Sequence, residues 1–540
     1  METFLRKQTR MALELGVNLP VGADGSRSST ASAQTVLAAS VAGIDDALAA
    51  DILTARDWRQ RYPEYFTRIL VAEAQSAQAA LQIARRGLAA ARGHFVVVGP
   101  DGTQSPLPTA VEQAGPGFRT VAISGHDQRV RELVVPYRGE NLRGLMLLRQ
   151  LDDWVRRGIV EPTFAEAVGG VVRNPEWLDL RGHTFALAGA GAQMGPFAQL
   201  VQWGARVAAI DLPRPEVWNR LLSVVRESAG TMYVPVHADH EDPVEADIPT
   251  RAGADLMTDV GPLVDWLAGL SGPMTIGNYG YADGVLFVRL SMAFDALLEG
   301  LRSRRDDLSV TYLATPSDVF LVPMNAVDMA QERHSRQGAL IVAGKVAHAL
   351  SAGRWFGPNY GTGGVIETPT ERFGVVSAFI VAQGPNYALA KRLQRWQMIA
   401  TRADGILTSV HVAPPTRTGS VHANPIMAER QRLTAYVGIE TFDAPTTEAI
   451  AGAILVHDLH NPASPANPAV PLGHPHEAFM FAANPGGRWR VPFDVGSTVP
   501  LLHEVTAARL RAGSFVRDLS TRIPGSGRLP GVRRLGRPQD

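Results

Sequence analysis

The sequence predicts an α/β fold in which a parallel sheet carries helices on both faces. Three observations lead there. The segment LRGHTFALAGAGAQMGPFAQLVQWGARVAAIDLP reads as strand, glycine turn, helix and second strand, all within the roughly thirty residues of a βαβ unit. Strand-like and helix-like stretches then alternate as far as GILTSVHVAPP, a pattern of parallel strands joined by crossover helices. With 540 residues, 45% of them hydrophobic and 19% charged, the chain can bury a sizeable core.

In chain order, residues 1–178 read as an α-rich accessory region. After a Gly/Ser-rich stretch from Gly22 to Ser32, apolar periodicity predicts helix as far as Arg92. HFVVVGPDGT and FRTVAISG then read as strands, and ENLRGLMLLRQLDDWVRRGIV as an amphipathic helix. Residues 179–455 form the next unit. Behind the βαβ segment, PVHADHEDP and GADLMTD read as short edges or loops and VGPLVDWLAGL as a helix. PMTIGNYG is a strand ending in a polar turn, VRLSMAFDALLEGLRSRRDD a long helix and LSVTYLATPS a strand. Residues 318–385 are an insertion, with a helix predicted in AQERHSRQGALIVAGKVAHALSAG and a Gly/aromatic stretch, RWFGPNYGTGG. A helix from Asn386 to Ala403, the strand GILTSVHVAPP and a helix around Thr446 to Val456 resume the alternation. Residues 456–540 hold a Pro-rich loop, HNPASPANPAVPLGHPHE, a helix near Val499 to Ala512 and an arginine-rich tail.

Composition narrows the chemistry. Fifty-two basic residues balance fifty-two acidic ones, which gives no electrostatic reason to expect nucleic acid or an anionic membrane as partner. There is no cysteine, so disulfides, thiolate metal sites and cysteine nucleophiles are excluded. No stretch approaches the roughly eighteen uninterrupted apolar residues of a membrane span, and METFLRKQTRMALELGVNLP lacks the apolar core of a secretory signal, so a cytoplasmic protein is expected. His457, His460, His474 and His476 come in two pairs, but no H-E-x-x-H helix or neighbouring carboxylates complete a zinc site, and no metal is expected. The basic residues include only three lysines, Lys7, Lys345 and Lys391. A lysine kept where arginine is so heavily preferred points to its particular chemistry.

Two motifs carry that chemistry. Gly189-Ala-Gly191-Ala-Gln193-Met194-Gly195 lies between an apolar strand and a helix. Glycines there permit a tight turn and close approach of backbone N–H groups to a pyrophosphate at the helix N-terminus. This predicts a Rossmann-type doubly wound sheet binding NAD or NADP. Asp211 ends the second strand, where a carboxylate accepts hydrogen bonds from the adenosine ribose and favours NAD, while Arg214 stands close enough to hold a 2′-phosphate. Tyr387 and Lys391 stand at i and i+4 on a predicted helix, hence on one face. An ammonium beside a phenol favours the phenolate and lets the tyrosine exchange a proton near neutral pH.

With these residues in order, the stretch from about Leu180 to Ser420 resembles the short-chain dehydrogenase/reductase family. The glycine turn is similar to that family's TGxxxGxG, Asn278-Tyr-Gly280 to its NNAG segment, and Tyr387/Lys391 to its YxxxK pair. The loop after GILTSVHVA resembles the family's proline-containing loop, which implies that Pro414, Thr416 and Thr418 lie near the nicotinamide. The resemblance also implies that Lys391 binds the nicotinamide ribose and that Asn278 supports a proton relay. Ala188 and Gln193 depart from the glycine motif. The family's serine precedes the tyrosine by about a dozen residues, whereas Thr315 and Ser317 lie far ahead of Tyr387. Either Ser317, the preferred candidate, folds back beside Tyr387 with residues 318–385 as a lid, or Ser377 takes the role. Trp355, Phe356 and Tyr360 either line a pocket or pack in a subdomain core. The expected protein is an NAD(P)-dependent oxidoreductase acting on a bulky or apolar carbonyl/alcohol substrate, with Tyr387 as general acid/base and, by the resemblance, a homo-oligomeric state. The alternative is a non-catalytic nucleotide-binding scaffold of the same fold.

Overall fold

The computed structural model describes residues 15–112, 115, 117–239, 245–361, 364–368, 371–380, 383–419 and 434–498. The helix expected at 499–512 and the arginine-rich tail lie outside the described residues. Seven strands form the central sheet: β1 (Phe118–Ser124), β2 (Thr184–Ala188), β3 (Arg206–Ile210), β4 (Thr231–His237), β5 (Met274–Asn278), β6 (Leu308–Ala314) and β7 (Thr408–Val412). Their spatial order is β7-β6-β5-β2-β3-β4-β1. All neighbours are parallel except β1, which runs antiparallel to β4. The chain is therefore α/β with a mostly parallel sheet, compatible with a Rossmann-like fold.

The composition of the strands explains their place. β2, β5 and β7 are buried at every residue, as a parallel strand covered on both faces requires. Alternate residues enter two different cores, because side chains along a strand point to opposite faces. Ala186, Ala208 and Ile276 join one core, while Phe185, Leu187 and Val207 join the other. The helices that matter to the site are α1 (Trp58–Glu73), α2 (Ala77–His94), α3 (Phe197–Gln202), α4 (Pro215–Arg226), α5 (Val285–Arg302), α6 (Pro385–Ala403) and α7 (Ala444–His460). Pro385, which lacks an N–H to lose, opens α6 immediately after Gly384 at φ 84°.

Three features differ from expectation. β4 is a full strand of seven residues, TMYVPVH; its interior proline hid it from a pattern search, and the antiparallel β1 on its far side completes its pairing. The first 178 residues do not stand apart, since β1 extends the sheet and α1 and α2 share the core of α5 and α6. The helix expected at Ala330–Gly353 is two, Met324–Ser335 and Ala339–Leu350, broken around Gly338. They accompany a three-stranded antiparallel sheet, Val319–Val322, Arg372–Ser377 and Val365–Glu367. Among the described residues no helix is long and apolar enough to cross a membrane.

The position of α6 is fixed largely by the N-terminal helices. Glu73 at the end of α1 is fully buried and accepts hydrogen bonds from Trp396 Nε1 at 2.8 Å and His476 Nε2 at 2.9 Å, with Arg392 Nη1 at 3.4 Å. Burial works to raise its pKa, yet Arg392 and His476 hold it down to about 2. Gly87 of α2 supplies the close approach: a Cβ there would lie 2.2 Å from Cζ3 of Trp396. Replacing a mid-helix glycine by alanine ordinarily gains up to about 1 kcal/mol. Gly87→Ala is expected to do the reverse, losing about 1–3 kcal/mol through overpacking. Chemical denaturation checks the sign.

Candidate functional site

The chain lays down β2, β3 and β4 in one direction and then returns to place β5 on the other side of β2. At such a reversal the connections leave the sheet in opposite directions, and the carboxyl ends of the two strands open a crevice. Gly189 follows β2 and Asn278 ends β5, so the two motifs meet there. Gly189 has φ 78°, and a Cβ on it would lie 2.6 Å from the Cα of Gly280, so no other residue fits. The amides of Gly189 and Ala190 donate to the Ile210 carbonyl, that of Gly191 to Asp211 and that of Ala192 to the Gly189 carbonyl. The amides of Gln193 and Met194 are left without a hydrogen-bond partner among the described residues.

Asp211 is engaged by the turn itself. One carboxylate oxygen accepts from the Gly191 amide at 2.8 Å and the other from Leu212 at 2.9 Å, while burial raises its pKa. A Cβ on Gly191 would come within 2.7 Å of Val217 and 2.8 Å of Arg220. Arg220 donates to the Gly191 carbonyl, and Arg214 is exposed. Gly195 packs on Tyr279 at ordinary contact distance. The helix that follows, α3, has only six residues and begins at Phe197. The helix-dipole contribution expected at the turn is correspondingly small.

Tyr387 is half-buried at the start of α6, against Phe287 and Tyr281. Its hydroxyl donates to Thr315 Oγ1 at 2.8 Å. Thr315, directly beyond β6, is therefore the hydroxyl beside the tyrosine. Ser317, the preferred candidate, instead accepts from the Ile380 amide at 2.8 Å, because three residues past the strand end the chain has already turned toward the insertion. Ser377 is paired with Val319 in the inserted sheet. Lys391 Nζ donates to the Leu313 carbonyl and to Gln394 Oε1, both at 2.9 Å, and stands 5.4 Å from the Phe287 ring centre. Burial lowers its pKa to about 8 and raises that of Tyr387 to about 12. The expectation that Lys391 lowers the tyrosine pKa is thus not met, since desolvation outweighs any attraction from the ammonium.

Sequence reasoning missed two residues from the C-terminal region. Arg488 is buried, donates through Nη1 to the Pro316 carbonyl at 3.0 Å, and lies close enough to Tyr387 for each to bear on the other's ionisation. Asn484 is fully buried and its amide N–H pairs with the Val412 carbonyl at the end of β7. Nothing in GGRWR singles out an arginine in a chain with only three lysines.

On the α4 and α7 side of the glycine turn lies a cavity of about 480 Å³, lined by Gln193, Arg220, Arg417, Gly419, Asp443 and Glu448 among others. Gln193 Oε1 accepts from the Gly419 amide at 2.8 Å across its mouth. Pro414 is buried beside it in the chain, Thr416 donates to the Pro414 carbonyl at 2.9 Å and lies 2.8 Å from Thr447, and Thr418 is half-buried next to Gly419. The loop after β7 thus reaches the glycine turn through Gly419. The aromatic residues of the insertion do not line this cavity: Tyr360 donates to the Trp489 carbonyl, and Phe356 packs on Phe493. His474 and His476 are occupied by Glu73, His457 contacts Asp458, and His460 bonds the Val456 carbonyl.

Glu448 Oε1 accepts from the Ala198 amide at 3.1 Å, and burial raises its pKa to about 7. An acid whose folded pKa exceeds its unfolded value binds its proton more tightly when folded. Its stabilising contribution is complete below the ordinary 4.5 and is lost as pH rises through about 7. Glu448→Gln keeps an oxygen for Ala198 without the charge. The variant should match the wild type near pH 5 and exceed it by roughly 1–3 kcal/mol near pH 8, as measured by denaturation at the two pH values.

No protein-family model matches the chain, and no curated protein matches it.

Proposed function

We propose that the chain is an NAD(P)-dependent oxidoreductase built on a doubly wound Rossmann domain, resembling the short-chain dehydrogenases/reductases, and that it interconverts a carbonyl and an alcohol. The observation that carries this reading is the 2.8 Å hydrogen bond from Tyr387 to Thr315 at the carboxyl end of β6, with Lys391 one helical turn along. The glycine turn supports the cofactor. It combines a position that only glycine fits, a second glycine pressed against Asp211 and Arg220, and two unspent amides at Gln193 and Met194. Asp211 at the end of β3 favours NAD over NADP.

A bound dihydronicotinamide supplies a hydride to the carbonyl carbon. Tyr387 gives its phenolic proton to the carbonyl oxygen, and Thr315 holds both the phenol and that oxygen in place. The raised pKa of Tyr387 keeps its proton in place at neutral pH, and the nearby Arg488 moderates the cost of the phenolate it leaves behind. An ammonium has three donors; Lys391 spends two on protein, and the third would be the one to hold the ribose of the cofactor. Asn278 supplies a donor at the end of β5. Phe287 and Tyr281 beside Tyr387 suit a bulky, partly apolar substrate.

The scaffold reading is favoured by two observations. Glu448 already takes the Ala198 amide in the first turn of α3, and Asp211 is committed to the glycine turn. Fluorescence titration with NADH and NADPH separates the two. The oxidoreductase is expected to bind one of them, to lose that binding in Gly191→Asp, and to lose about 10²–10⁴-fold in turnover in Tyr387→Phe with cofactor binding intact. Binding of neither nucleotide would leave the scaffold reading standing.

A further inference from the structure

Arg488 is a buried charge that the proposed chemistry does not fully use. Its side chain is 5% exposed, Nη1 is spent on the Pro316 carbonyl, and Nε has no partner. No carboxylate pairs with it among the described residues. A guanidinium taken out of water without a counter-ion is costly to the fold, and such a group persists where a ligand completes it. Two further buried donors stand at the neighbouring strand ends. Asn278, the last residue of β5, is 3% exposed and its Nδ2 has no partner. Asn484, held on the carbonyl that ends β7, is wholly buried, and its Nδ2 is likewise unpaired. The carboxyl ends of β5, β6 and β7 thus present three unsatisfied donor groups.

The geometry points to an anion subsite: Arg488, with Asn278 and Asn484 at the flanking strand ends, receives a carboxylate that the substrate carries close to its reacting carbonyl. The substrate class is then an oxo acid and its corresponding hydroxy acid. A carboxylate fits better than a phosphate because Nη1 is turned to Pro316, leaving one planar edge of the fork for two parallel hydrogen bonds. Proximity to the reacting carbon follows from the chain itself, since Pro316 is the residue after Thr315. The rings of Phe287 and Tyr281 receive the rest of the molecule. This inference rests on the oxidoreductase reading for the carbonyl but not for the anion.

The test is a titration of the full chain with benzoylformate and with its methyl ester, followed by tryptophan fluorescence, in the presence and absence of NADH and NADPH. Benzoylacetate and its ethyl ester form a second pair. The wild type is expected to prefer an acid over its ester by about 100-fold. Arg488→Gln should abolish that preference while ester binding remains, which also shows the variant to be folded. Arg488→Lys, with the charge but not the fork, should fall between. Equal affinity for acid and ester in both pairs, equal weakening of both by Arg488→Gln, or displacement of the acid by lower concentrations of inorganic phosphate would overturn the subsite. If Arg488 serves only to ease ionisation of Tyr387, acid and ester suffer alike and the pH profile of turnover moves. Acid preference without any response to NADH or NADPH keeps the subsite and removes the dinucleotide. Dinucleotide binding without acid preference does the opposite.

Discussion

One buried carboxylate holds the architecture of the site together. Glu73 comes from the N-terminal helices, yet its partners lie on α6 and in the turn at His476. Removing it would leave the Arg392 guanidinium, itself fully buried, facing only Asp318 at 3.6 Å. Arg395, one helix face round, is shared between Asp318 and the rings of Phe320 and Phe479. This lattice of charges and rings is fully desolvated and geometrically demanding, which makes it a device for uniqueness more than for net stability. It settles the rotation of α6 about its own axis. Tyr387 and Lys391, within two turns of Arg392 on that helix, inherit their direction from it.

The site has two electrically different ends. Around the glycine turn and its cavity, acidic groups have found partners: Asp211 is satisfied by the turn and Glu448 by α3. Around β5, β6 and β7 the surplus is of donors, with Arg488 and Lys391 as charged groups. Burial pushes the ionisable groups at both ends toward neutrality, raising Glu448 and Tyr387 and lowering Lys391 and Arg488. A crevice of this kind selects among ligands by what it leaves unpaired when the wrong one enters.

Much of the frame was legible in the sequence because periodicity reports burial. β2, β3, β5, β6 and β7, the helices α5 and α6 and the glycine turn all follow from apolar runs broken by glycine or charge. β4 escaped because proline in a strand reads as a break, and its pairing with β1 joins segments more than a hundred residues apart. Tyr387 and Lys391 were legible as a pair because both occupy one helix face. Thr315 could not be chosen over Ser317, since the two differ only in which side of a strand end they leave. Arg488 and Asn484 carried no local signal at all: each is defined by a distant carbonyl at or just beyond a strand end, Pro316 for one and Val412 for the other.

That last feature bears on how the protein is made. Gly189, Thr315, Tyr387 and Arg488 come from widely separated stretches of chain, so the crevice is a structure of high contact order. The sheet from β2 to β6 can pair as it emerges from the ribosome, but its carboxyl edge lacks a floor until synthesis has passed Arg488. A nascent or truncated chain would present this crevice unfinished, the kind of intermediate that chaperones retain. The set of donors at the ends of β5, β6 and β7 is therefore complete only in copies whose synthesis has passed Arg488.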